Sequence, residues 1–438
     1  MATTADLVLL HAPSLYDYRR RATLWGPISD LVPSTPVFDM YPLGFSTMTA
    51  HLEKAGFRTR IVNLAARMVR SERFDVERKI RGLRGRVFGI DLHWLAHAQG
   101  ALEIASLVKR HHPDAPVVFG GFSSSYFHDE LIRYPQVDYV LRGDSTEEPL
   151  RLLVELLTAA DAAAGVDADQ LAAIPNLTWQ NGSGKVRSNP LTEVPTSLDH
   201  LEMDYRHLVR AVVRDLDFLD YVPFSHWIDY PAMAALTVRG CRFNCAHCGG
   251  SATSSRLLSG RSAPAYRSPE RLAQDMRRMY DVSRGPAFLL GDIRQAGMDH
   301  ARRFLRAIQP YPGQGMLEVF EPIDAGFAQE LAEALPNFVI EFSPESHDPV
   351  VREALNKRFS NEEIEQTIEV CLAAGCRRFD LFFLSGLPKQ TPESVLATVD
   401  YCAGLLERFG DGRLIPFIGP LAPFLDPSSP IFENPEKY

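Results

Sequence analysis

Short, nearly continuous apolar runs alternate along the first third of the chain with longer stretches whose apolar residues return every three or four positions. The runs are DLVLLHA (6–12), RTRIVNL (58–64), RVFGIDL (86–92), APVVFGG (115–121) and DYVLRGD (138–144). Among the stretches between them, LGFSTMTAHLEKAG (43–56) and HAQGALEIASLVKR (97–110) have helical spacing. Strands covered on both faces by helices lose the in–out alternation, so the pattern predicts βαβ units and a doubly wound, Rossmann-like parallel sheet over residues 1–160. The last helix of this unit is expected to open at a capping box of Ser145 and Glu148, with Leu150, Leu153, Val154 and Leu157 following at helical spacing.

The alternation stops over residues 161–230. DAAAGVDAD is a bridge of small residues, LTWQNGSGKVRSNP reads as a hairpin around Gly182 and Gly184, and the turn-rich segment to Tyr205 reads as connector. A linker with a hairpin is therefore expected there. From about 231 to 438 a second series begins: AMAALTVRG, GPAFLLGD, GMLEVFE, NFVIEFSPE, RRFDLFFLSG and RLIPFIG. Ser268-Pro269-Glu270 and the pair Ser360 and Glu363 mark helix starts between these runs. Six strands with intervening helices predict an α/β partial (β/α)6 barrel of the TIM type, with its site at the C-terminal strand ends. The proline-broken tail PLAPFLDPSSPIFENPEKY offers no helix to cover the sixth strand, so a barrel truncated at its C-terminus is expected.

Composition narrows the function. A formal net charge of −9 argues against a nucleic-acid partner. The Arg cluster at 18–21 reads as solvated surface. No stretch reaches the roughly 20 apolar residues of a membrane span, and the N-terminus lacks a basic leader pattern, which together predict a cytoplasmic protein. Of the six cysteines none falls in the first 240 residues, which does not fit a secreted disulfide framework.

Cys241, Cys245 and Cys248 follow the first barrel strand in the segment GCRFNCAHCGGS. Three thiolates suit an iron-sulfur cluster as well as zinc. A zinc site would need His247 as fourth ligand, and its place between Cys245 and Cys248 hardly lets it bend back to the same ion. Cys371, on one helical face with Ile364 and Ile368, and Cys402, behind Val395 and Val399, read as core residues. Cys376 completes the set.

The C-x3-C-x2-C spacing at the end of the first strand of such a barrel resembles the signature of the radical S-adenosylmethionine (SAM) enzymes. The resemblance implies that the three cysteines hold three irons of a [4Fe-4S] cluster and that SAM chelates the fourth. It also implies SAM-contacting positions. Phe243 and His247 lie in the cysteine loop, where an aromatic residue usually precedes the third cysteine and this chain has His247. Gly291 and Asp292 match the last two positions of the family's turn for the SAM amino group. Ser343 and Glu345 fall in the ribose-contacting stretch, Arg358 is the candidate for the SAM carboxylate, and Gly386 lies near the adenine. The absence of cysteine outside the barrel argues against family branches with auxiliary clusters.

A doubly wound domain ahead of the barrel resembles the cobalamin-binding subgroup. Its strand-end loops would meet the corrin: Leu43 and Gly44 after the first strand, Leu92, His93 and Trp94 after the third, and Gly143 after the fifth. The loop of Gly120, Gly121, Phe122 and Ser123 would admit the nucleotide tail. A phosphorelay receiver would need acidic strand ends, and LLHAPS supplies none. DLHWLA is close to the D-x-H-x-x-G motif of mutases but lacks its glycine and follows the third strand, so cobalamin is expected base-off without ligation by His93.

The implied enzyme cleaves SAM reductively to a 5′-deoxyadenosyl radical, abstracts hydrogen from a substrate carbon and delivers a methyl group from methylcobalamin, as a class B C-methyltransferase. Cyclisation or rearrangement with the same cofactors is the alternative, and a non-catalytic cobalamin or redox sensor is a rival of another class. The partners implied are a small-molecule substrate and an external electron donor such as flavodoxin or ferredoxin. The acid/base residues and the substrate are not legible.

Overall fold

The computed structural model describes residues 4–20, 39–159, 166–203, 205–421 and 425–438. Each apolar run of the first series forms a strand: β1 Ala5–His11, β2 Thr59–Asn63, β3 Gly85–Asp91, β4 Val117–Gly120 and β5 Tyr139–Leu141. They pair in parallel in the order β2-β1-β3-β4-β5. The direction of winding reverses between β1 and β3, which creates a crevice at their C-terminal ends where such sheets take ligands. Helices cover both faces, and Leu7, Leu10, Phe88, Ile104 and Phe119 are fully buried between the layers or nearly so.

The hairpin expected in the linker has a larger role. Its strands extend this sheet: β6 Leu177–Gln180 pairs antiparallel with β5, and β7 Val186–Ser188 pairs antiparallel with β6. Trp179 is buried, and its indole N–H donates to Asn189 Oδ1 at 3.3 Å.

The second series gives β8 Met233–Leu236, β9 Val238–Arg239, β10 Ala265–Tyr266, β11 Ala287–Leu290, β12 Gly315–Val319, β13 Phe338–Glu345, β14 Arg378–Ser385 and β15 Leu414–Pro420. Six of these pair in parallel and in chain order from β8 through β11 to β15, which is the partial barrel. β8 and β15 are its edges. β9 and β10 pair antiparallel beside the first barrel strand.

Helix starts divide by their local chemistry. Ser360 and Glu363 form the expected capping box, each side chain bonded to the other's backbone N–H. Pro269 opens its helix after Ser268, whose side chain makes no cap bond. The expected box of Ser145 and Glu148 does not form. The helix is Glu147–Thr158 behind Thr146, Ser145 bonds Asp144 and Arg239, and Glu148 is drawn to His51 and Arg151. Longer-range partners outcompete the local cap.

The two sheets are joined by buried charges. Glu147 accepts from Thr47 Oγ1 at 2.6 Å and pairs with Arg239, at 3.0 Å for one of its guanidinium nitrogens. Burial pushes the Glu147 carboxyl up, but the Arg239 charge and hydrogen bonds outweigh it and bring it to about 2. Arg261 makes a two-pronged bond to Asp144, 2.8 Å on each side, and also holds the Pro195 carbonyl. One turn, Gly143 to Glu147, therefore grips the arginines that flank the barrel's first loop.

Candidate active site between the two sheets

The cysteine loop begins at Gly240, whose φ of +79° suits glycine and whose missing side chain leaves room for Arg261. It ends at the helix Ala252–Ser259, capped by Ser251 through Ser254 N–H at 3.2 Å. Within the loop, Phe243 N–H points at Cys241 Sγ (3.4 Å) and Gly250 N–H at Cys248 Sγ (3.3 Å), both polarised to support sulfur as an anion. Without metal the opposite holds. Burial pushes the Cys241 thiol up to about 11 and the Cys248 thiol up to about 12, with the neighbouring cysteines adding to the rise. Metal must therefore displace protons to bind. Gln295 closes one side, its Oε1 3.2 Å from Cys241 Sγ.

The loop after β13 is stitched onto this one: Ala246 N–H donates to the Leu355 carbonyl at 3.3 Å and Asn356 Nδ2 to the Asn244 carbonyl at 2.8 Å. That seam buries Lys357 beside Cys245 and Cys248, where it pairs with Glu345 at 2.9 Å and donates to the Ser343 carbonyl. Burial opposes ionisation of Glu345, yet Lys357 and His247 hold its carboxyl at about 2. His247 Nε2 lies 3.6 Å from that carboxylate, while its buried Nδ1 has no hydrogen-bond partner. Arg358 is exposed, so Lys357 and not Arg358 is the cation facing the cysteines.

Asp292 is also committed elsewhere. Both its oxygens bind Arg294, at 2.9 and 2.6 Å, and one also takes the Phe320 N–H. The carboxylate beside Gly291 N–H is that of Glu318, at 2.6 Å. Glu318, Glu341 and Asp380 lie in one row across β12, β13 and β14. Burial first, then Glu318 and Asp380, raise the Glu341 carboxyl to about 7. Gly386 closes β14 with φ +86° and donates to Gln390 Oε1 at 2.8 Å. Phe243 lies under the Arg242 guanidinium, 4.7 Å from its ring centre. Cys371, Cys376 and Cys402 are buried.

Facing the cysteine loop across a cavity of about 170 Å³ are His93, Trp94, Phe122 and Ser123; Gly249, Gly250, Asp426 and Pro427 line the other side. His93 tilts over Phe122 with ring centres 4.7 Å apart. Burial holds its imidazole below the usual value, against the pull of Asp91. Asp91 bonds His11, at 2.9 and 3.1 Å to its two oxygens. Of the other expected corrin contacts, Leu92 is core, Leu43 and Gly44 open the helix Gly44–Lys54, and Gly143 packs near Ser259; none lines this cavity. Gly120 and Gly121 shape it indirectly. Gly121 has φ +116°, and a side chain there would come within 2.7 Å of the Leu92 backbone. Gly121→Ala is thus expected to displace Leu92 and His93 and to cut the cobalamin retained through purification about tenfold, read from corrin absorbance per chain.

Asp426 comes from the tail, where the sequence offered no pattern. Its Oδ2 accepts from Gly249 N–H at 3.0 Å, and a side chain at 249 would meet Asp426 at 2.6 Å. Ile431 N–H to the Ala246 carbonyl (3.0 Å) and Ser254 Oγ to the Ser428 carbonyl (2.8 Å) tie the tail to the loop.

The family models divide the chain in the same way. Residues 30–153 match the B12 binding domain, and residues 236–402 match the Radical SAM superfamily. The chain joins a B12-binding domain to a radical SAM domain.

Solved structures agree with this architecture. The radical S-adenosylmethionine methyltransferase TsrM from Kitasatospora setae, with cobalamin and a [4Fe-4S] cluster bound, aligns with a TM-score of 0.67 at 20% identity over 99% of this chain and 78% of that one. The same enzyme with tryptophan substrate and a SAM analogue gives 0.64 at 20% identity over 92% and 71%. No curated protein sequence gives a significant match. Among the described residues, no helix is long and apolar enough to cross a membrane.

The donor set fits the cofactors these domains imply. Three clustered thiols with N–H donors aimed at two of them, an orphaned imidazole nitrogen at His247 and a buried ammonium at Lys357 all face one region. His93, Trp94, Phe122 and Ser123 face it across the cavity.

Proposed function

We propose that this chain is a cobalamin-dependent radical SAM enzyme, a C-methyltransferase acting on a small molecule. The observation that carries the reading is the shared cavity, in which His93, Trp94 and Phe122 of one domain meet Gly249 and Gly250 of the cysteine loop. When bound, the cluster and SAM supply radical chemistry, and the corrin supplies a transferable methyl group.

The chain's own residues hold, orient and shield. Cys241, Cys245 and Cys248 would hold the cluster. Lys357, rather than Arg358, would meet the SAM carboxylate, and Glu318 beside Gly291, rather than Asp292, its amino group. Ser343, Glu345, Phe243, His247 and Gly386 surround the nucleoside. The loops around His93 and Gly121 would hold cobalamin, and the tail at Asp426 and Pro427 limits water in the cavity. An external flavodoxin or ferredoxin supplies electrons. Held there, the cluster with SAM would supply hydrogen abstraction from a substrate carbon and the corrin the methyl group.

The test is anaerobic purification with cobalamin, followed by spectra and an assay of SAM cleavage. A loaded cluster, a base-off corrin and 5′-deoxyadenosine support the reading; nitrogen coordination to cobalt or no SAM cleavage counts against it. Replacement of Lys357 by alanine is expected to weaken SAM binding about tenfold or more, in line with loss of a charged hydrogen bond of about 1.5–3 kcal/mol. Arg358→Ala is expected to stay within about twofold of wild type, since that side chain is exposed. Equilibrium binding to the reconstituted protein reads both.

A further inference from the structure

Below the cavity loop lies a cluster that the proposed reaction does not use. His11 ends β1, Asp91 ends β3, and His97 ends the short helical turn Leu95–His97. All three are buried, at 0%, 4% and 1% exposure. One ligand atom from each lies within 4.8 Å of the others, a grouping of His, Cys, Asp and Glu found nowhere else among the described residues.

We infer that His11, Asp91 and His97 form a binding site for a divalent transition-metal ion of the zinc class, which fixes the loop between Asp91 and His97. Two imidazoles and a carboxylate are a donor set of that class, with one coordination position left over. The geometry is that of convergent ligands. His11 Nδ1 sits 2.9 and 3.1 Å from the two Asp91 oxygens, nearly equidistant, and the His11 and His97 rings lie 5.1 Å apart at 82°.

The backbone around the cluster is fixed tightly. Gly100 N–H donates to the Ser14 carbonyl at 3.2 Å, and a side chain at 100 would overlap the Pro13 carbonyl at 1.8 Å. The turn after His11 and the turn after His97 are thereby pressed together. Electrostatics asks for a cation here, because a buried carboxylate must be paired. A divalent ion pairs Asp91 while both imidazoles stay neutral; an imidazolium at His11 is the competing solution. The consequence is local order: Asp91 and His97 bracket His93 and Trp94, which line the cavity. The site stands whether or not cobalamin binds.

Full-length holoenzyme is dialysed against EDTA, exposed to Zn2+, desalted and analysed for zinc, iron and cobalt. A single zinc per chain is expected beyond the iron and cobalt, falling about tenfold in His97→Gln and Asp91→Asn. The same zinc should persist when Cys241, Cys245 and Cys248 are all replaced by alanine, which separates it from thiolate-bound metal. As a check on folding, added Zn2+ should raise the melting temperature of wild type and leave that of His97→Gln unchanged. Absence of zinc from wild type, or a zinc content and melting shift indifferent to His97→Gln, overturns the site and leaves an ion pair of His11 and Asp91.

Discussion

Cys248→Ala is expected to abolish the iron-sulfur cluster, with bound iron and sulfide falling at least tenfold while the chain stays folded. The half-buried thiol receives the Gly250 N–H and lies beside both other cysteines. With one anionic ligand gone, the remaining two cannot hold three irons, and the alanine methyl offers no substitute donor. Cys371→Ala and Cys402→Ala are the matched controls. They remove a buried thiol from the core and cost packing, but they leave the cluster content at the wild-type level. Iron and sulfide analysis with visible absorption reads all three variants.

Glu147→Ala is expected to destabilise the protein by about 3–5 kcal/mol, because it leaves the Arg239 guanidinium, only 10% exposed, without its carboxylate partner. Arg239 is two residues ahead of Cys241, so the variant should also loosen the loop and slow cluster assembly. The pH dependence has a defined sign. The Glu147 carboxyl is lowered in the folded protein to about 2, so its contribution is fully present above the ordinary carboxylate range and is lost as pH falls through about 2. The stability difference between wild type and Glu147→Gln should therefore narrow steadily on acidification over that window. Denaturant titrations at several pH values measure it, and a difference that stays constant or widens toward acid contradicts the assignment.

Much of this molecule was legible from local pattern. The five parallel strands of the first sheet and the six of the barrel coincide with apolar runs, because buried strands need continuous apolar sequence. The cysteine loop was legible because its chemistry is compressed into eight consecutive positions, 241 to 248. What escaped depends on partners distant in sequence or on the direction a side chain takes. Lys357 and Arg358 are neighbours of equal charge, and only the turn at Asn356, with φ +63° and its bond to Asn244, decides which one points inward. Asp292 stands beside Gly291 in the sequence, but Arg294, two residues on, takes both its oxygens. Ser145 and Glu148 carry a capping signature, but Arg239 and His51 lie nearly a hundred residues away in the chain and still outbid the cap. Asp426 sits in a segment with no periodicity, and its place beside Gly249 follows from tertiary packing alone. Leu92, one of the expected corrin contacts, follows the end of β3 and is buried in the core, away from the cavity lining.

The most direct test of methyl transfer through this cavity uses SAM carrying a deuterated methyl group. The anaerobic holoenzyme, with cluster reduced and cobalamin bound, is incubated with labelled SAM, and the corrin is extracted in the dark and analysed by mass spectrometry. A deuterated methyl group on the corrin with matching S-adenosylhomocysteine is expected, both lost in Gly121→Ala. An unlabelled corrin from a protein that still converts SAM to 5′-deoxyadenosine would contradict methyl transfer and point to rearrangement chemistry.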